Sequence, residues 1–333
     1  MTPRRRLPAG RRAPILGSVK AAVLHKHGSA PRFEAFADPS PSSGHVVIDV
    51  TAAALHHLDI HKATGTFYTG PPPLPSVVGT DGVGRLGDGR RVYFDTTVAP
   101  YGSMAERALA PEEALFEVAD GVDDAIAAAL GNTGLAAWLA LAWRSRLEPG
   151  ETVLVLGATG AVGTVAVQAA KILGAGRVVA AARPNERLSR LLERGADAIV
   201  ELDGNGDLAA SFRQAAGGEV DVTIDTLWGE PALAGMRAAA RHARHVQVGQ
   251  LADVEISLPA PAVRAVSLDI YGFSVAHPPI EIRHEAYLHL TRHVERGDIV
   301  VEVERVPLER VESAWERQRQ ATDGAKLVLI PPT

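Results

Sequence analysis

The sequence predicts a two-domain α/β protein, in which a β-rich unit is joined to a doubly wound parallel sheet. Strand and helix patterns alternate through the second half of the chain. A glycine loop stands between an apolar strand and a helix in the segment 153–178. The length of 333 residues also exceeds what a single core usually supports.

The segment 153–178, VLVLGATGAVGTVAVQAAKILGAGRV, predicts a strand, a phosphate-binding turn and a helix. Three glycines lack the Cβ that would hinder a tight turn, a close approach of a pyrophosphate and helix packing on the sheet. The anion is expected at the helix N-terminus, where free N–H groups favour it. The expected dinucleotide contacts are Gly157, Ala158, Thr159, Gly160, Ala161, Val162 and Gly163.

The end of the second strand of this unit, 177–182, indicates which dinucleotide binds. An NAD site usually places an acid there against the ribose 2′-hydroxyl, whereas this chain has Arg183, with Arg187 one helical turn later. A guanidinium can donate two hydrogen bonds to a 2′-phosphate, so NADPH is the predicted cofactor. The alternative is that Arg183 is a solvated loop residue and that Glu186 is the nearby acid.

The remaining elements follow from local patterns. Ordered structure is expected from Val19, with a strand and a turn over 19–28, a longer strand at 45–55, and short strands joined by turns through the Gly- and Pro-rich segment 65–89. Helical spacing begins at Asp123. Beyond it we predict strands near 152–156, 177–182, 197–200, 221–226, 243–248 and 268–274, helices near 161–173, 186–194, 206–215, 230–240 and 281–296, and a closing strand at Lys326–Ile330.

Composition excludes several classes of function. Cysteine is absent, which excludes disulfides, cysteine nucleophiles and thiolate-bound zinc and fits a cytoplasmic protein. No apolar run is predicted to be long enough to cross a bilayer. The net charge is −5, and it is −10 without the five arginines of the first 17 residues, so the body is expected to repel nucleic acid. Segment 1–18 is predicted to be a disordered tail; a basic arm for nucleic acid or a start-site extension is the alternative.

The chain resembles the medium-chain dehydrogenase/reductase superfamily, and specifically its zinc-independent quinone oxidoreductase branch. The resemblance runs from Val19 to Ile330 and is carried by VKAAVLH, AALHHLD, LPSVVGTDGVG, GLAAWLAL, the glycine loop, ERGADAIVE and GAKLVLI. It implies a GroES-like β-rich catalytic domain over 19–126 and 299–333 and a Rossmann NADP-binding domain over 127–298.

The resemblance also implies which three positions of this chain correspond to the metal ligands of zinc-dependent relatives. Those three positions correspond to His56, Thr80 and Ala129, of which only the histidine is a metal ligand. His57 and His61 share a helical spacing, but no third ligand accompanies them at a fixed distance. We therefore expect no metal, and we interpret the histidines as cleft-lining or hydrogen-bonded side chains.

Without a metal, hydrogen bonds must stabilise the oxyanion that hydride addition creates. Tyr68 is the first candidate proton donor. It stands seven residues before Pro75, and enoyl reductases of this superfamily have a tyrosine at that distance before the proline of a similar LP-x-V-x-G turn. The alternative is that Tyr68 lines the cleft mouth. His56 and Asn132 are candidates for polarising a carbonyl. Asp59 is expected to support the local turn, although the resemblance places it close to the site.

The resemblance implies further cofactor contacts from Thr133, Thr226, Gly249, Phe273, Ser274 and Lys326. The predicted function is NADPH-dependent reduction of quinones or α,β-unsaturated carbonyl compounds. An NADPH-binding protein with little turnover and a zinc alcohol dehydrogenase are the alternatives. A homodimer is expected through the strand 267–275, which would otherwise be an exposed sheet edge.

Overall fold

A computed structural model describes residues 17–320 and 325–332. The expected tail falls almost wholly on residues 1–16, which lie outside the described residues. The strands are β1 (Ser18–Leu24), β2 (Arg32–Ala37), β3 (His45–Ala54), β4 (Ser76–Val77), β5 (Gly82–Arg85), β6 (Arg91–Phe94), β7 (Arg107–Pro111), β8 (Leu115–Glu117), β9 (Thr152–Leu156), β10 (Arg177–Ala182), β11 (Ala198–Glu201), β12 (Val220–Asp225), β13 (Ala239–Gln247), β14 (Asp269–Gly272), β15 (Val303–Pro307) and β16 (Lys326–Ile330). The helices are α1 (His57–Thr64), α2 (Asp124–Leu139), α3 (Ala161–Ile172), α4 (Glu186–Arg190), α5 (Leu208–Ala216), α6 (Gly229–Arg237), α7 (Ala260–Arg264), α8 (Ile280–Glu295) and α9 (Val311–Gln320).

The second half of the chain forms the predicted doubly wound parallel sheet. Within the described residues its strand order is β11-β10-β9-β12-β13-β14, and every neighbouring pair is parallel. The first strand of the glycine-loop unit is therefore central, with the chain winding outward on both sides. This order brings the carboxyl ends of β9, β10 and β12 to one edge, where a doubly wound sheet binds its ligand.

The β-rich part is organised around β3. This strand pairs antiparallel with β5, β7 and β16, so the C-terminal strand of the chain lies beside an N-terminal one. β1 pairs with β2 and β4 in a smaller sheet. The predicted mostly-β unit also contains α1, an eight-residue helix that was not predicted although His57 and His61 share a helical spacing. The carboxylate of Asp59 accepts the backbone N–H of His56 at 2.8 Å and fixes the start of that helix.

Helix α2 connects the two parts of the molecule. It packs against α3 of the parallel sheet unit, against α8, and against β3 of the β-rich part. Its backbone is kinked at Gly131, where φ is −47° and ψ is −110°. A Cβ at Gly131 would lie 2.3 Å from the ring of Tyr93, so glycine is required for this close approach.

The expectation that no apolar run could cross a bilayer needs a correction. The helical segment Asp124–Ser145 is long and apolar enough by length and composition, because a π-helical turn at Ala140–Ser145 extends α2. However, 83% of its most apolar window is buried inside the protein. It is the central core helix, buried on all sides, and this accounts for its composition.

Replacing Gly131 by alanine tests the kink. We expect Gly131→Ala to lower the free energy of unfolding by about 1–3 kcal/mol, because the new methyl group overlaps the Tyr93 ring. Gly134→Ala is the matched control in the same helix, where a Cβ would meet only leucine side chains at 3.2 Å or more. Chemical denaturation measures both; equal losses would contradict the role of Gly131.

Candidate active site

The glycine loop is fixed against the sheet by its own backbone. The N–H groups of Gly157 and Ala158 donate to the carbonyl oxygen of Ala181 at 2.9 and 3.0 Å, which holds the turn beside the end of β10. Gly157 has a φ of +79°, in the left-handed region that favours glycine. A Cβ at Gly163 would lie 2.3 Å from the carbonyl oxygen of Gly157. The first and third glycines are therefore required by the turn itself.

The start of α3 offers free donors to an anion. Gly160 precedes the helix and has no side chain to cap it, and the first helical bond runs from Thr164 N–H to the Gly160 carbonyl at 2.9 Å. The N–H groups of Ala161, Val162 and Gly163 come before that bond and have no partner within the helix. Gly160 is exposed. This arrangement fits a phosphate group of a dinucleotide.

The two candidate arginines differ in their surroundings. Arg183 directly follows β10 and is exposed, so its guanidinium can reach a ligand at the sheet edge. Arg187 instead lies 3.4 Å from a carboxylate oxygen of Glu302, which Arg194 also contacts at 2.7 Å. Burial lowers the pKa of the Arg187 guanidinium. Arg183 is therefore the better-placed partner for a 2′-phosphate.

Two of the other expected cofactor contacts, Thr226 and Gly249, lie at the glycine loop and directly behind it. The hydroxyl of Thr226 donates to the Leu156 carbonyl at 2.9 Å, and a Cβ at Gly157 would lie 2.2 Å from that hydroxyl oxygen. A Cβ at Gly249 would lie 2.8 Å from the Thr226 carbonyl oxygen. Phe273 and Ser274 follow β14 and are half-buried. Thr226 and Gly249 thus pack behind the glycine loop, just beyond the carboxyl ends of β12 and β13.

A buried carboxylate, Asp81, joins three segments of the chain next to this edge. One of its oxygens accepts from His56 Nε2 at 2.7 Å, and the other accepts from the Tyr93 hydroxyl at 2.9 Å and from the Asn132 backbone N–H at 3.0 Å. Burial alone would raise the pKa of Asp81, but the hydrogen bonds from His56 and Asn132, together with the Lys326 charge, outweigh it and lower the pKa. Burial, followed by the Asp81 charge, raises the pKa of Tyr93 well above its usual range.

Lys326 completes this network from the far end of the chain. Its Nζ lies 2.7 Å from His56 Nδ1 and donates to the Leu55 carbonyl at 2.7 Å. Thr133 Oγ1 is 3.4 Å from the same ring nitrogen. Burial lowers the pKa of Lys326 to about 8, although the charges of Asp81 and Asp59 oppose the shift. The resemblance names Lys326 as a cofactor contact, and the structure adds that it is a buried hydrogen-bond donor.

Asp59 has a supporting role on the other side of His56. Besides capping α1, it accepts the hydroxyl of Thr80 at 2.8 Å, and Lys62 Nζ lies 3.1 Å from that hydroxyl. This geometry agrees with the interpretation that Asp59 fixes the local turn. Burial lowers the pKa of the neighbouring His57 to about 4, with the Lys326 charge as the next cause, so that imidazole is neutral at physiological pH.

Of the three positions that the resemblance assigns to metal ligands, His56 and Thr80 belong to this network, and the third is Ala129, whose side chain has no ligand atom. Both ring nitrogens of His56 are engaged, one by Asp81 and one by Lys326, and an ammonium 2.7 Å away repels a cation. Thr80 donates its hydroxyl to Asp59. Across residues 17–320 and 325–332, no three His, Asp or Glu side chains are grouped so as to hold a metal ion. This donor set does not fit zinc.

Tyr68 lies apart from the buried network. Its side chain is 75% exposed, and its ring stacks on Phe67 with 4.0 Å between the ring centres. Asn132 contributes its backbone N–H rather than its side chain to Asp81. Of the expected catalytic residues, His56 and Asp59 are buried together, and the backbone of Asn132 joins them through Asp81.

Sequence reasoning missed Asp81 and Tyr93, which connect the network. The sequence does contain a signal for the two charged members of the network, Asp81 and Lys326. Asp81 is a single acid within the apolar run SVVGTDGVG, and Lys326 is a single cation at the start of the apolar strand KLVLI. A lone charge in such a strand must be buried with a partner, because an unpaired charge there is costly. The partners themselves are too distant in sequence to be identified from it.

The chain is similar in sequence to known dehydrogenases and oxidoreductases. The family model described as "Zinc-binding dehydrogenase" matches residues 161–290. "Quinone oxidoreductase-like protein 2" of Mus musculus is 27% identical over 300 residues, covering 85% of this chain and 84% of that protein. The "Mycocerosic acid synthase-like polyketide synthase" of Mycobacterium tuberculosis is 28% identical over 262 residues, and this chain matches 12% of that protein's length.

A solved structure extends the likeness to the whole fold. The quinone oxidoreductase from Thermus thermophilus, described together with its complex with NADPH, superimposes with a TM-score of 0.78 at 27% identity. The match covers 93% of this chain and 99% of that one. The predicted combination of a GroES-like domain and a Rossmann domain is thereby confirmed.

Two stacked tyrosines test the charge on Asp81. We expect Tyr93→Phe to lower the free energy of unfolding by about 1.5–3 kcal/mol, because it removes a hydrogen bond to a buried carboxylate. Tyr287→Phe is the matched control: its ring stacks on Tyr93 and it donates to the neutral carbonyl of Ala127 at 2.9 Å. There we expect a loss of about 0.5–1.5 kcal/mol. Urea denaturation at neutral pH compares them, and a larger loss for Tyr287→Phe would contradict a charged Asp81.

Proposed function

We propose that this chain, which belongs to the medium-chain dehydrogenase/reductase superfamily and to its zinc-independent quinone oxidoreductase branch, uses NADPH to reduce quinones or α,β-unsaturated carbonyl compounds. The open start of α3 beside the exposed Arg183 carries the cofactor part of the proposal. The metal-free hydrogen-bonding network at His56 supports the substrate part. The cofactor side and the substrate side of the site meet at α2, which packs on α3 and carries Asn132 and Thr133.

The glycine loop and Arg183 would hold the cofactor. The pyrophosphate fits the free N–H groups at the start of α3, and the 2′-phosphate fits the guanidinium at the end of β10. The complex with NADPH described for the relative from Thermus thermophilus supports this assignment. When bound, NADPH supplies a hydride from its nicotinamide ring.

Conjugated acceptors suit a site without a Lewis acid. Hydride addition to the β-carbon of an enone, or to a quinone, places negative charge on a carbonyl oxygen. Hydrogen-bond donors can stabilise that oxygen in place of a metal. The buried Lys326 and the hydroxyl of Thr133 are such donors in this protein, and Tyr68 is a further one on the exposed loop.

The cofactor assignment is tested by Arg183→Ala. We expect the affinity for NADPH to fall about ten- to a hundredfold and the affinity for NADH to stay unchanged, since only NADPH carries the phosphate that the guanidinium contacts. Arg190→Ala is the control, because that exposed arginine pairs with Glu186 on the same helix. Fluorescence titration measures the affinities, and equal binding of both cofactors by the wild type would overturn the assignment.

The same samples test the reaction. A quinone and a small enone are added and NADPH oxidation is followed. Turnover of either supports the reductase. Tight NADPH binding without turnover favours an NADPH-binding role, and one zinc per chain by metal analysis would favour an alcohol dehydrogenase.

We further propose a homodimer through β14. Among the described residues this strand ends the parallel sheet, so one of its edges has no strand partner there, and Ile270 on it is 37% exposed. Ile270→Asp would place like charges near each other across a twofold axis and should yield monomers. Val254→Asp is the control at an exposed loop position. Sedimentation equilibrium measures the mass; a wild type at the 35.1 kDa of a single chain would refute the dimer.

A further inference from the structure

Within residues 17–320 and 325–332, the ammonium group of Lys326 has two hydrogen-bond acceptors, which leaves one N–H without a partner there. Its Nζ is buried and donates to the Leu55 carbonyl and to His56 Nδ1, each at 2.7 Å. An ammonium has three N–H bonds in a tetrahedral arrangement. The third N–H is therefore fixed in direction by the other two, as a donor to a ligand must be.

The hydrogen bonds that link His56, Asp81 and Tyr93 determine which atom is the donor in each of these contacts. The carboxylate of Asp81 can only accept, so His56 Nε2 carries the proton that lies between them. His56 Nδ1 then presents a lone pair, and Lys326 must donate to it. The Tyr93 hydroxyl and the Asn132 N–H occupy the second oxygen of Asp81 and hold the carboxylate in place.

The position of the Lys326 ammonium is at the junction of the two parts of the molecule. His56 Nδ1, which accepts from it, also lies 3.4 Å from Thr133 Oγ1 on α2. Helix α2 packs on α3, whose first turn is the open anion site. His57, at the start of α1, is half-buried and close enough for the charge of Lys326 to lower its pKa.

We propose that Lys326 donates its third N–H to the carbonyl oxygen of the acceptor and then transfers that proton to it, while His56 and Asp81 act as positioning residues. This rests on the proposed reduction. Hydride addition leaves an electron pair on the acceptor oxygen; the N–H bond of Lys326 breaks and an O–H bond forms. The neutral amine regains a proton from water, so one NADPH and one proton are consumed for each acceptor reduced.

The surroundings of Lys326 make this transfer feasible near neutral pH. Burial lowers its pKa to about 8, while Asp81 and Asp59 keep it from falling further. His56 and His57 are the other titratable groups that face it, and the pKa of His57 is lowered to about 4. The acid form of Lys326 is needed, so turnover should decrease as the pH rises through about 8.

A binding experiment tests the donor without any turnover. The probe is p-nitrophenol, whose phenolate oxygen resembles the charged oxygen of the product and whose ionised form is visible by absorbance. In the wild type with NADP⁺ we expect the pKa of bound p-nitrophenol to fall by about one unit or more. Lys326→Met should abolish this shift, and Lys171→Met, which removes an ion-paired lysine on α3, should keep it. No binding, or an unshifted pKa in the wild type, overturns the proposal even if Lys326→Met fails to fold.

Steady-state kinetics then separate this inference from the proposed function. With NADPH at saturating concentration, so that loss of a cofactor contact does not enter kcat, we expect Lys326→Met to lower kcat about 10²–10⁴-fold and to lose the decrease above about pH 8. If the wild type reduces the acceptors and Lys326→Met matches it, Lys326 is not the donor. If Tyr68→Phe instead removes that pH dependence, the proton comes from Tyr68. A Lys326-dependent phenolate shift without reduction of any quinone or enone would leave the anion site standing and reject the substrate class.

Discussion

The burial of one carboxylate constrains much of this molecule. Asp81 has no exposed surface, and a charge in such a place is tolerated only if its oxygens are met by donors. Its donors come from the start of α1, from β6 and from α2. The kink at Gly131 contributes directly, because it makes room for the Tyr93 ring and precedes the Asn132 N–H that turns toward Asp81. The placement of α1, β6 and α2 and the buried charge of Asp81 therefore depend on one another.

The two halves of the site are built by different means. The cofactor side consists of backbone: a left-handed glycine, a helix start without a cap, and carbonyl oxygens that hold the turn against β10. The acceptor side consists of side chains, and their hydrogen bonds run from Tyr93 and Lys326 inward to Asp81 and His56. Backbone geometry suits a pyrophosphate that all dinucleotides share, whereas side chains can adapt to the acceptor.

Sequence reasoning was most accurate where structure is determined locally. The strands at 152–156 and 177–182 and the helix that begins at Ala161 match the structure to within a residue, because apolar periodicity and glycines define them. Helix α1 was not predicted because it has only eight residues and ends where the Gly- and Pro-rich segment 65–89 begins; its cap is a carboxylate three residues in. The pairing of Lys326 with His56, 270 residues away in the sequence, could not be predicted, since it depends on β16 lying beside β3.

That separation has a consequence for how the protein is made. His56 leaves the ribosome early, whereas the strand that carries Lys326 pairs with β3 only after nearly the whole chain has been translated. A nascent or prematurely terminated chain that ends before β16 contains the glycine loop and the strands of the parallel sheet, yet it lacks the ammonium on the acceptor side. Such a chain would keep the nucleotide-binding loop but lack Lys326, so cofactor binding alone is a poor assay for a completely folded protein.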